Sequence, residues 1–134
     1  MKNRPALTLH DCRKISDAAE AEARRNGWEV AIVILDDGGH LLHALRTDNA
    51  TPANVGFATE KARTAAISRR PSKFWEERVT GGRLSTLRMP GILPVEGGLP
   101  IVWDGVCIGA IGVSGAQSHE DSQVGQAGIA TLTD

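Results

Sequence analysis

Two β-type runs flank the dipeptide Asp104-Gly105, and that pairing limits what this chain can fold into more than any other feature. The first run opens at Glu96-Gly97-Gly98-Leu99-Pro100-Ile101, and the second passes through Ile108-Gly109-Ala110-Ile111-Gly112-Val113-Ser114-Gly115. Both central residues of a type I′ turn need φ > 0, which Asp-Gly accepts, so the stretch predicts a tight antiparallel hairpin. The second strand then carries Gly109, Gly112 and Gly115, although glycine in a strand costs entropy and gives nothing to pack. Close approach to that backbone explains the pattern. A neighbouring helix, a partner subunit or a flat ligand each satisfies it, with helix or subunit packing the commoner cause.

The 134 residues predict one domain over 1–134, and 41% hydrophobic content suffices for a core without staples. A net charge of −1 gives no basic field, and three Trp, two Phe and no Tyr leave few stacking platforms. Nucleic acid and anionic membrane surfaces are therefore not expected partners. Cys12 and Cys107 have no metal-type spacing and are read as buried thiols. The polar start, Met1-Lys2-Asn3-Arg4-Pro5, has no apolar signal core, so a cytoplasmic location is expected.

Thr8-Leu9-His10-Asp11 reads as a capping box, with Leu7 and Cys12 as its hydrophobic staple. Cys12, Ile15, Ala19 and Ala23 recur at helical spacing until Asn26-Gly27 ends the helix. Val30 to Leu35 is an apolar, β-branched run that suits a strand covered on both faces. Asp36-Asp37-Gly38-Gly39 turns it back into a second strand, His40 to Leu45. Thr51-Pro52 predicts the cap and first turn of a helix whose stripe, Val55, Ala58, Ala62 and Ala65, is unusually small. Such a helix can lie close to the glycine-bearing sheet. Arg69-Arg70-Pro71 stops it, and Ser72 is expected to cap a short helix through Arg78. Thr80 to Gly98 lacks a clear period and suits a binding loop, a lid or an inter-subunit arm, with an extra strand considered at Ile92-Leu93. Ser118-His119-Glu120-Asp121 repeats the capping logic before Val124 and Ala127. Tight hairpins imply a largely antiparallel sheet, hence an α+β fold, and no dinucleotide or phosphate loop is present.

Leu7-Thr8-Leu9, Asp36 with Gly38-Gly39-His40-Leu41, Arg46 with Asp48, Lys61-Ala62-Arg63-Thr64-Ala65 and Gly97-Gly98-Leu99-Pro100-Ile101 carry a resemblance. With Asp104-Gly105, Gly109 to Gly115 and Asp121, this order resembles the GlcG/HbpS family from about Leu7 to Leu132. The family is also labelled haem-degrading or DUF336 and includes the C-terminal domain of PduO-type proteins. The resemblance implies a profilin-like α/β/α arrangement with a five-stranded antiparallel sheet, and homo-oligomers from dimers to octamers. It further implies binding of haem or a related tetrapyrrole, and for other members a place in small-molecule catabolism.

Imidazole is the commonest haem ligand, so His40 and His119, both beside turns, are candidate cofactor contacts, with Ser114 at the end of the glycine-rich strand. Arg46, Asp48, Lys61 and Glu96 form the candidate catalytic set if a strand end, a loop and a helix converge on one cleft. Arg can grip a carboxylate in bidentate fashion, and a desolvated Lys can act as base or electrostatic stabiliser. The bland alternative is a surface Arg46-Asp48 pair with Lys61 solvated. Two functions follow: a haem or tetrapyrrole binder, or an isomerase, tautomerase or hydrolase acting on a small carboxylated ligand. Neither names a metal site.

Overall fold

A computed structural model describes residues 1–132. Its elements run α1 (Leu9–Arg25), β1 (Ala31–Asp36), β2 (Leu41–Arg46), α2 (Ala53–Ser68), α3 (Ser72–Thr80), a 3-10 turn (Leu84–Arg88), β3 (Gly98–Trp103), β4 (Val106–Ser114) and α4 (Ser118–Ile129). The strands form one antiparallel sheet in the order β2-β1-β4-β3. Both hairpins expected from the turn residues are there. Asp104 and Gly105 have φ of 49° and 74°, the positive pair that a type I′ turn requires. At the other turn, Asp36 Oδ1 accepts from the amides of Gly38 and His40, each at 2.9 Å. Those amides outweigh the effect of partial burial and hold the Asp36 carboxyl below its ordinary range.

The sheet is covered on both faces. Ile32, Ile34, Ile101, Ile111 and Val113 pack with Cys12, Ile15, Ala19 and Ala23 of α1 and Val124 of α4. On the opposite face, Ala31, Val33 and Leu35 meet Ala58 and Ala62 of α2. This alternation along β1 explains why its apolar run is unbroken. The small stripe of α2 and the bare glycines of the sheet fit together. A Cβ on Gly112 would strike the Ala58 carbonyl and lie 2.7 Å from the Ala62 amide, and one on Gly98 would strike the Lys61 carbonyl. The object that approaches the strand at Gly112 is therefore the α2 backbone, while Gly109 lies against the Leu35 carbonyl and Leu7, and Gly115 against the Glu29 carbonyl.

The capping box of α1 forms as expected, Asp11 N donating to Thr8 Oγ1 and Thr8 N to Asp11 Oδ2. Several expectations need correction. Among the described residues the sheet has four strands, not five. Ile92-Leu93 makes no strand because the Leu93 amide is spent on Thr64 Oγ1 at 2.8 Å, and Pro90 and Pro94 offer no amide to extend a ladder. The α4 cap falls one residue earlier than expected, at Gln117, whose amide donates to Glu120 Oε1 at 3.0 Å. Thr51 does not cap α2, which begins after Pro52 without a side-chain cap. Ser72 does not cap α3: its buried hydroxyl instead accepts the Gly98 amide at 2.8 Å and ties that helix to β3. Gly39 of the first turn is buried against Ile67 and Arg63 at the far end of α2. Cys12 is buried, whereas Cys107 is partly exposed beside Arg69.

Candidate functional site

Lys61 lies on the packed face of α2, within the spacing of Ala58, Ala62 and Ala65, and it is only 4% exposed. A buried ammonium needs partners, since desolvation otherwise costs several kcal/mol. The end of β4 and the start of α4 supply them. Lys61 Nζ donates to the Val113 carbonyl at 3.0 Å and to Asp121 Oδ2 at 3.1 Å. Asp121 is 1% exposed, and its other oxygen accepts the Ala116 amide at 3.0 Å. Burial pushes the Asp121 carboxyl above its ordinary range, against the opposing pull of the Ala116 amide, the Lys61 charge and the Gly115 amide.

Gly97 and Gly115 make room for this pair. A Cβ on Gly97 would sit 2.9 Å from Lys61 Nζ, and Gly97 has φ of 132°. Gly115, with φ of 144°, lets β4 turn away from Glu29 into α4, so that Asp121 faces back toward α2.

The ion pair forms the floor of an open cleft of about 360 Å³. Asn54 and Phe57 of α2 make one wall, Leu93 and Val95 a second, and Ser114, Gly115, Ala116 and Ser118 the third. Ser114 Oγ donates to Asn54 Oδ1 at 3.2 Å across the floor. The ring of Phe57 is 53% exposed. The cleft thus combines apolar walls with a few polar groups that converge at its base, the usual composition of a small-molecule site.

The structure brings only part of the expected set together. Lys61 and Ser114 share the cleft, whereas His119 is exposed in the first turn of α4, next in sequence to Ser118 but not itself among the lining residues. Arg46 and Asp48 lie elsewhere, in a second cleft of about 230 Å³ lined by Glu20, Arg24 and Glu29. They make no ion pair with each other among the described residues, and Lys61 is not solvated. Glu96 stands by α3, its amide donating to Glu76 Oε1 at 3.4 Å. His40 sits at the β1–β2 turn near the C-terminal end of α2, with 81% of its side chain exposed beside Asp36. Asn54, Phe57 and Val95 went unnoticed in the sequence because nothing local marks them. Asp121 was read only as a cap. Lys61 on an alanine stripe was the one signal that a buried acid had to exist.

Among the described residues, no group of three or more His, Cys, Asp or Glu side chains could hold a metal ion, and no helix is long and apolar enough to cross a membrane. Comparison with known proteins is consistent across sequence and structure. A family model described as haem degrading protein HbpS-like matches residues 7–130. Protein GlcG of Escherichia coli strain K12 is 44% identical over 114 residues, 85% of either chain. A crystal structure of a double mutant of Streptomyces reticuli HbpS superposes with a TM-score of 0.91 at 31% identity, over 100% of this chain and 92% of that one. The crystal structure of a PduOC–haem complex gives a TM-score of 0.87 at 26% identity, over 96% of both chains.

Proposed function

This chain belongs to the HbpS-like family of haem degrading proteins, and from that membership we propose that it binds haem or a related tetrapyrrole in the cleft between α2 and the start of α4. The observation that carries this reading is the apolar wall made by Phe57, Leu93 and Val95. An aromatic ring left half exposed at the mouth of a cleft is a surface that a flat apolar ligand covers with gain. The open side of the cleft suits a macrocycle that enters edge-on. His119, exposed one residue after the lining Ser118, is the side chain that would hold the metal, and bound haem would supply an iron centre there. Ser114 belongs to the floor, and His40 lies outside the site in this reading. The likeness to a protein crystallised with haem supports the choice of ligand class.

Self-association is part of the same proposal. Leu41 on edge strand β2 and Val102 on edge strand β3 are 65% and 51% exposed, and Leu84 and Leu87 of the 3-10 turn are exposed as well. Uncovered edges bearing apolar side chains are common sites of subunit contact.

Haemin titration tests the ligand assignment. A saturable Soret shift near one equivalent per subunit or per subunit pair is expected, and His119→Ala should abolish it. Adventitious haem sticks to apolar surfaces without saturating, so unsaturable colour that His119→Ala leaves unchanged contradicts the proposal.

A further inference from the structure

The polar floor of the cleft has an imbalance that haem's ring does not explain. Its carboxylate and amide oxygens are each engaged: Asp121 Oδ1 by the Ala116 amide, Asp121 Oδ2 by Lys61, and Asn54 Oδ1 by Ser114. Its donors are not. An ammonium carries three N–H groups and Lys61 has two acceptors. Among the described residues the Asn54 amide group and the Ser118 hydroxyl make no donor bond, yet both residues line the cleft. Unused donors on two elements, α2 and α4, facing one cavity call for a ligand that brings acceptors and no donors of its own.

We propose that this floor is a carboxylate subsite, in which a ligand carboxylate accepts from Lys61 Nζ, Asn54 Nδ2 and Ser118 Oγ while Asp121 takes up one proton. The proposal rests on the reading of the cleft as the ligand site and adds which part of a ligand the floor holds. Charge balance supplies the proton. Lys61 is already matched by Asp121, so a ligand carboxylate would put two anions on one cation in a site that excludes much of the water. Burial already favours the protonated form of Asp121, and a second anion favours it further. A proton from solvent then joins Asp121 Oδ2, which can donate to the incoming carboxylate while still accepting from Lys61. No bond other than this O–H forms or breaks.

The charged surroundings of Asp121 are few. Lys61 is the charged group on the buried face of α2, and neither β3 nor β4 contains a charged residue. The buried face of α1 is uncharged. On α4 itself, Glu120 is bound to the Gln117 amide and His119 is exposed. His119→Gln is therefore the control variant on that helix for a pH experiment.

Two sources of the carboxylate are distinguishable: the propionate arm of a tetrapyrrole, or a free small carboxylic acid. Haemin, haemin dimethyl ester and sodium propionate are the probes. Haemin should bind about tenfold or more tighter than its ester, the effect of losing a hydrogen bond to a charged group, and Asn54→Leu should erase that difference. Propionate should raise the unfolding temperature of the wild type but not of Asn54→Leu. Its apparent affinity should weaken as pH rises from 6 to 8, by about tenfold per unit where Asp121 is ionised in the free protein. That dependence should persist in His119→Gln and vanish in Asp121→Asn.

Equal affinity for haemin and its ester, with no response to propionate, overturns the subsite and leaves haem binding intact. Propionate stabilisation without saturable binding of either macrocycle overturns the haem reading and upholds the subsite, with a small carboxylic acid as ligand. A pH dependence lost in His119→Gln and kept in Asp121→Asn overturns the proton assignment. Should Asp121→Asn fail to fold, Asn54→Leu and His119→Gln still decide the matter, since neither removes a partner of the buried ion pair.

Discussion

Lys61 and Asp121 neutralise each other where neither could stay charged alone. Removing one partner strands the other in a site with little water, so Lys61→Met and Asp121→Asn should each cost about 3–5 kcal/mol. Lys61→Met combined with Asp121→Asn leaves no net charge behind and should cost clearly less than the sum of the two. Urea unfolding of the four proteins measures this coupling, and strict additivity would show that the pair carries no mutual stabilisation. Half of this pair was legible in the sequence: a lysine on a stripe of alanines announces burial. Its partner was not, because Asp121 is 60 residues away and reaches Lys61 only through the Gly115 turn and the packing of α4. The same limit explains Arg46 and Asp48, whose separation from the cleft depends on the strand order, which puts β1 between Arg46 on β2 and Ser114 on β4.

At the scale of elements, the contact of α2 with β4 determines what substitutions the sheet tolerates. Gly112→Ala puts a methyl group into the Ala58 carbonyl, a backbone atom that cannot rotate aside, and should destabilise by about 1–3 kcal/mol or more. Gly56→Ala, on the open side of the same helix with nothing within 4 Å, should stabilise by about 0.4–1 kcal/mol. Melting temperatures that fail to separate in this order contradict the close approach. The α1 capping box has a pH signature of its own. Thr8's amide and hydroxyl hold Asp11 below its ordinary pKa, so the cap's contribution is present above about pH 4 and is lost as pH falls through the folded value. Asp11→Asn should therefore flatten stability in that acid range and leave its shape above pH 5 unchanged. Local chemistry made these elements readable: the Asp-Gly turn, the Thr8 cap and the glycines of β4 each state a backbone requirement. The count of strands was not local. It depended on whether the Leu93 amide found a strand or the Thr64 hydroxyl.

For the whole molecule, the two covered faces of the sheet contrast with its two open edges. Self-association through the apolar residues on those edges predicts a dimer or larger species at micromolar concentration in sedimentation velocity, and a stable monomer would contradict it. Family membership and the α+β architecture were both readable from the order of motifs along the chain, because those motifs are turn, cap and packing requirements of the fold itself. The ligand site was not, because its walls come from α2, the segment around Val95 and the start of α4, which meet only after folding. This meeting place is the proposed site of haem binding. An anomalous difference map at the iron edge, from crystals grown with haemin, locates the metal directly and in any oligomer. One iron peak is expected at the cleft mouth, beside Phe57 and Val95. A peak at His40, in the Arg46–Asp48 cleft or beside Cys107 would contradict it.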